Sequence, residues 1–271
     1  MRKFFAIAIH VAVLIAATCL LSSTTVLAAD FSAGDVDEIT LARGLDLAAS
    51  NCMSRVDIEI ERPYAQDDDL LAIRTVASLQ DGWAYQRPEV FNYTRAGLVG
   101  CTVGPDGLSF TVTLYMEAED GGELADAYAQ KQAAELMAEK VYDQLLADGA
   151  FNADSSETEV ARALLDWVVA NVEYVQDYTN ACHTAYSAFF NHYAVCDGYT
   201  SAYNLLLKQA GIACRGVKGD AGGLHEWTQA TLDGRTVYID ATWCDANPDG
   251  VTPDLTYFAV EPASLTSHHA F

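Results

Sequence analysis

Residues 224–243 read LHEWTQATLDGRTVYIDATW, and this stretch decides the fold of the C-terminal part of the chain. Asp233-Gly234 is a dipeptide typical of a two-residue hairpin turn, and apolar residues alternate on both sides of it. The pattern predicts one strand over Leu224–Leu232 and a second over Arg235–Ala241, preceded by a strand near Ile212–Val217. These three strands would form an antiparallel meander.

The hairpin register brings two polar residues onto one face of the sheet. If Leu232 faces Arg235, then His225 and Asp240 point the same way, because side chains alternate between faces with a period of two. As diagonal neighbours their backbones would be roughly 7–8 Å apart, which side chains can bridge. A bulge of one residue would destroy this register.

Upstream, residues 194–211 read AVCDGYTSAYNLLLKQAG and predict a helix from Cys196 to Ala210, ended by Gly211. A cysteine at a helix start lies near unpaired backbone amides and the positive end of the helix dipole, which favours a nucleophilic thiolate. Taken alone, a cysteine is more often a buried structural residue or half of a disulfide.

Cys196, His225 and Asp240 together suggest a catalytic triad. A carboxylate bonded to one imidazole nitrogen fixes the tautomer and leaves the other nitrogen to take the thiol proton. His183 and His192 are rival bases, but strand register places no carboxylate beside either of them. A backbone-bonded strand histidine is the structural alternative for His225.

These residues resemble the transglutaminase-like superfamily, in which a cysteine opens a helix and a histidine and an aspartate follow on successive strands. The resemblance covers about Ala185 to Asp245. It implies an α+β fold with a papain-like core, in which the helix bearing the nucleophile packs on an antiparallel sheet. It also implies attack of Cys196 on a carboxamide or peptide carbonyl to form a thioester, with His225 moving the proton and Asp240 orienting His225.

The resemblance leaves the outcome of the reaction open. Water as acceptor gives proteolysis or deamidation, a primary amine gives a crosslink, and the superfamily also contains inactive members. A catalytically silent extracellular binding or assembly module is therefore the alternative function. The Cys196 amide is the natural first oxyanion donor, and the candidates for the second are His183, Tyr186 and His192.

The N-terminus predicts export. Arg2 and Lys3 precede an apolar run and a small-residue stretch, so residues 1–28 read as a signal peptide cleaved after Ala28. Removing the two basic residues takes the net charge from −23 to −25, which argues against nucleic-acid binding. We expect a secreted or cell-surface protein without a membrane span, acting on a protein or peptide.

Two regions are expected after the signal peptide: an N-terminal α+β region of unknown role (29–154) and a smaller catalytic domain (155–271). Ser156 and Glu159 form a capping-box pattern at the start of the second region. The cysteine spacing predicts no metal site, and no cofactor is expected. Plausible disulfide pairs are Cys52 with Cys101 and Cys214 with Cys244, although sequence cannot fix the connectivity.

Overall fold

A computed structural model describes residues 28–175, 180–246, 251–265 and 269–270. The predicted signal peptide, residues 1–28, therefore lies outside the described residues except for Ala28. No helix within the described ranges has the length and apolar character needed to cross a membrane.

The N-terminal region is built on a four-stranded sheet in the order β1-β2-β4-β3. Its strands are β1 (Ala28–Ala33), β2 (Arg55–Ile60), β3 (Thr94–Val103) and β4 (Phe110–Ala118). The pair β1-β2 is parallel and the other two pairs are antiparallel. Three helices belong to this region: α1 (Glu38–Ser50), α2 (Asp68–Gln86) and α3 (Pro88–Phe91). The inward-facing residues of β2 and β4 are apolar and buried against α1, which explains the alternating sequence pattern.

The C-terminal part contains long helices packed on a small antiparallel sheet. Its helices are α4 (Leu124–Ala147), α5 (Glu157–Asn171), α6 (Cys196–Gln209), α7 (Ala241–Cys244) and α8 (Pro262–Leu265). Its strands are β5 (Glu173–Tyr174), β6 (Tyr193–Ala194), β7 (Cys214–Asp220), β8 (Leu224–Leu232) and β9 (Arg235–Ile239). The sheet order β7-β8-β9 confirms the predicted meander, and the α+β class is confirmed with it.

The hairpin between β8 and β9 has the predicted register. Leu232 pairs with Arg235, and Asp233 and Gly234 both have positive φ angles of 50° and 76°. The prediction that the second strand continues to Ala241 is wrong, because β9 ends at Ile239. The next residue is the N-cap of α7, so the chain turns into a helix instead of extending the ladder.

The turn also holds the start of α5. Ser156 and Glu159 form the predicted capping box. The Asp233 carboxylate accepts hydrogen bonds from the Glu157 amide at 3.0 Å and from the Thr158 hydroxyl at 2.6 Å. One turn residue therefore fixes the hairpin and satisfies free amides of a helix that lies far away in the sequence.

The main hydrophobic core extends across the predicted boundary between residues 154 and 155. It includes Ala134, Ala138 and Val141 of α4 together with Leu164 of α5 and Leu206 of α6. The boundary itself stays a prediction, but residues on both of its sides share one core.

All six cysteines of the described residues are free thiols. The suggested pairs Cys52–Cys101 and Cys214–Cys244 are therefore not formed. Cys52 instead accepts a hydrogen bond from the Gln132 amide at 3.6 Å, and the Cys214 thiol donates to the Asn204 carbonyl at 3.5 Å.

Candidate active site

Cys196 is the first residue of α6 and is partly exposed. The chain reaches it through β6, which pairs with β5, and the Val195 amide donates to the Cys182 carbonyl at 3.1 Å. Gly198 makes this approach possible. A Cβ at that position would lie 2.5 Å from the Cys182 carbonyl oxygen, so a side chain would push this segment away from the helix start.

His225 and Asp240 form a direct pair. His225 Nε2 lies 2.7 Å from Asp240 Oδ2, although β9 ends one residue before Asp240. The side chain of Asp240 is fully buried, and its other oxygen accepts a hydrogen bond from the Trp243 amide at 3.0 Å. The end of the strand thus aims the carboxylate in two directions, towards the imidazole and towards the first turn of α7.

The electrostatics of this pair favour a charged imidazole. Burial lowers the pKa of His225, but hydrogen bonds with Asp240 and with Cys196 outweigh that effect and raise the pKa from 6.5 to about 9. For Asp240, burial raises the pKa, whereas hydrogen bonds from its imidazole partners lower it, and the net shift is downward. Because Nε2 of His225 is occupied by Asp240, Nδ1 is the nitrogen left for the thiol.

A second histidine–carboxylate pair lies beside the nucleophile. His183 Nδ1 is 2.7 Å from Oδ2 of Asp197, the residue that follows Cys196. Strand register gave no signal for this pair because Asp197 belongs to the helix. Burial, together with the charges of Asp197 and Cys196, also raises the pKa of Glu226 well above its ordinary value, so a protonated carboxyl lies close to the thiol.

The three candidates for the second oxyanion donor have different surroundings. His183 is bonded to Asp197 and so lies next to the helix start. Tyr186 stacks on Phe190 with a centroid distance of 4.6 Å, and its amide donates to the Tyr93 hydroxyl. His192 has a left-handed backbone, with its Nδ1 3.1 Å from the Asn171 carbonyl oxygen. His183 is therefore the candidate placed nearest to the nucleophile along the structure.

His269 is a site residue that the sequence did not reveal. Its Nε2 lies 2.9 Å from Asp240 Oδ2, and its side chain is fully buried. No spacing rule connects residues 29 positions apart when the later one follows no regular element, so no sequence signal was available.

The ligand-type atoms of His225, Asp240 and His269 all lie within 4.8 Å of one another. This geometry could in principle hold a metal ion. The hydrogen bonds from both imidazoles to one carboxylate oxygen already account for it, and the expectation of no metal ligand stays a prediction.

Comparison with known proteins matches this geometry to a family. The sequence model of the transglutaminase-like superfamily matches residues 144–248, a segment that contains all three predicted triad residues. These residues form a transglutaminase-like domain. The match begins within α4, before the predicted domain start at residue 155.

Two curated proteins resemble a larger part of the chain than this domain. Human kyphoscoliosis peptidase is 24% identical over 170 residues, which cover 54% of this chain and 25% of that protein. The mouse protein of the same name is 25% identical over 137 residues, covering 42% of this chain and 21% of that protein. The aligned part of this chain thus spans a quarter or less of the length of these relatives.

Two solved structures also align with the chain that carries the transglutaminase-like domain. One is a crystal structure of a TGase, with 12% identity and a TM-score of 0.36, covering 69% of this chain and 50% of the other. The second is a proposed cysteine protease from Cytophaga hutchinsonii, with 16% identity and a TM-score of 0.35, covering 60% of this chain and 69% of the other.

Proposed function

We propose that the protein is an exported, cysteine-dependent acyl-transfer enzyme that acts on carboxamide or peptide bonds of proteins. The observation that carries this proposal is the position of His225, which bonds to a buried aspartate through one nitrogen and to Cys196 on its other side. The superfamily of the domain agrees with this chemistry.

The residues then have the following roles. The thiolate of Cys196 attacks the carbonyl carbon and forms a C–S bond, and backbone amides at the start of α6 stabilise the oxyanion. His225, held as imidazolium by Asp240, gives its proton to the leaving amine as the C–N bond breaks. Water or a primary amine next attacks the thioester, returns a proton to His225, and releases the thiol.

The reactivity of Cys196 tests the nucleophile directly. Burial raises the pKa of both Cys52 and Cys101, which makes them internal controls in the same chain. We expect iodoacetamide to modify Cys196 at least tenfold faster than either control at pH 7, as measured by peptide mass spectrometry. Equal rates at the three cysteines would contradict the proposal.

The base is tested by a matched pair of variants. His225→Gln should slow the alkylation of Cys196 at least tenfold, whereas His183→Gln should leave it within about threefold. The reverse result would transfer the role of base to the His183–Asp197 pair.

The fate of the acyl group requires a substrate. We expect a peptide mixture incubated with the protein to show new termini, deamidated glutamines, or, with an added primary amine, amine adducts. Cys196→Ala is the control. A mixture unchanged by wild-type protein whose Cys196 is reactive would favour the silent binding module.

A further inference from the structure

Residues 269–270 lie against the end of β7. The Asp220 amide donates to the Ala270 carbonyl and the Ala270 amide donates to the Asp220 carbonyl, both at 2.8 Å. This pair of hydrogen bonds fixes a short antiparallel bridge at the sheet position beside the candidate active site.

The neighbouring strand residue is shaped for this contact. A Cβ on Gly219 would lie 2.1 Å from the Ala270 carbonyl oxygen and 2.5 Å from the Trp227 ring. Gly219 is also the residue that pairs with His225 in the sheet. A side chain is therefore absent at the point where residues 269–270 cross the strand next to His225.

The bridge delivers His269 to Asp240 inside an aromatic enclosure. The His269 ring lies with centroid distances of 4.6 Å to Trp243, 4.7 Å to Trp227 and 5.7 Å to Tyr257. Its Nδ1 is buried without a partner among the described residues. The tautomer with the proton on Nε2 fits this environment, because a buried N–H without an acceptor is costly.

We propose that His269 is a positioning residue, which donates its Nε2–H to Asp240 and thereby holds the carboxylate that orients His225. This inference rests on the proposed function. The acceptor is one oxygen shared by two imidazoles, so His269 restricts the rotation of Asp240 while leaving the second oxygen to the Trp243 amide. The hydrogen bond also compensates part of the burial of the carboxylate.

The test compares two substitutions of His269 in the full chain. His269→Phe keeps the ring volume but removes the donor, and His269→Gln keeps an N–H in a similar place. We measure the rate of Cys196 alkylation by iodoacetamide from pH 5 to 10, a readout that packing alone would not move. His269→Phe should lower the rate at pH 7 about tenfold and move the profile to higher pH, and His269→Gln should stay within about threefold of wild type.

A second variant acts on the bridge without changing the imidazole. Ala270→Pro removes the amide that donates to Asp220, and we expect the same direction of change as in His269→Phe. Circular dichroism establishes that each variant is folded at the temperature of the assay.

The outcomes separate this inference from the proposed function. If His225→Gln slows alkylation while folded His269→Phe and Ala270→Pro both match wild type, the positioning role is overturned and the proposed function stands. If His225→Gln itself has no effect, the proposed function fails. Slowing by both His225→Gln and His269→Phe, with recovery in His269→Gln, supports the positioning role.

Discussion

The two ring nitrogens of His225 serve different partners, and this division has a consequence for stability. The pKa of the imidazole rises from 6.5 to about 9 because the gains from Asp240 and Cys196 exceed the effect of burial. A proton bound more tightly in the folded chain stabilises the fold wherever that proton is present.

We therefore predict that stability falls as the pH increases through this range. The contribution of His225 is fully present below about pH 6.5 and is lost as the pH rises through 9, with an upper limit of about 3 kcal/mol. The measurement is the free energy of unfolding in urea at pH 6.5 and 9.5, for wild type and His225→Gln. Wild type should lose more between the two pH values than the variant, and parallel losses would contradict the assigned shift.

The contact between α6 and the segment before it depends on a helical glycine, which leads to a prediction at the level of the element. Gly198→Ala would place a methyl group against the Cys182 carbonyl and the Ala194 side chain. We expect it to lower the free energy of unfolding by about 1–3 kcal/mol and to reduce Cys196 alkylation, since the segment must shift beside the thiol.

Gly82 of α2 supplies the matched control, because a Cβ there meets no atom within 4 Å. Gly82→Ala should raise stability by about 1 kcal/mol through helix propensity and leave the reactivity of Cys196 unchanged. Denaturation and alkylation of the two variants side by side provide the measurement. Equal destabilisation by both would show that the close approach at Gly198 has no special effect.

The elements that sequence predicted well are those governed by local chemistry. The Asp233-Gly234 turn fixed the hairpin register, and the Ser156–Glu159 box fixed the start of α5. The end of β9 was misjudged because the carboxylate of Asp240 caps α7, a use that strand alternation does not reveal. Such competition between strand and helix start is decided by tertiary contacts.

The site was predicted only as far as local patterns reach. Register counting paired His225 with Asp240, but His183 with Asp197 and His269 with Asp240 depend on long-range packing. No periodicity in sequence marks a histidine that joins the site through a bridge to another strand.

Across the whole molecule, the N-terminal region and the transglutaminase-like domain contact one another at α6. Lys208 near the end of this helix forms an ion pair with Glu89 of α3, whose side chain is only 2% exposed. The Asn92 side chain adds a 2.6 Å hydrogen bond to the His183 carbonyl. The N-terminal region therefore touches the helix and the loop that carry candidate site residues.

Breaking this ion pair should destabilise the protein more than replacing both partners. Lys208→Met leaves the buried Glu89 carboxylate uncompensated and should cost about 3 kcal/mol of stability. The double variant Glu89→Gln/Lys208→Met should recover at least half of that loss. Chemical denaturation of the single and double variants measures the coupling, and additive losses would mean that the pair contributes little.

The turn at Asp233 also limits how the chain can vary. Its φ angle and its bonds to the start of α5 both fix the hairpin, and 15 residues separate His225 from Asp240. An insertion of one residue would reverse the face of every residue on one side of it. Among natural relatives that keep both side chains, we expect selection to exclude single-residue insertions and deletions from this hairpin, while the connection at Ala221–Gly223 varies in length.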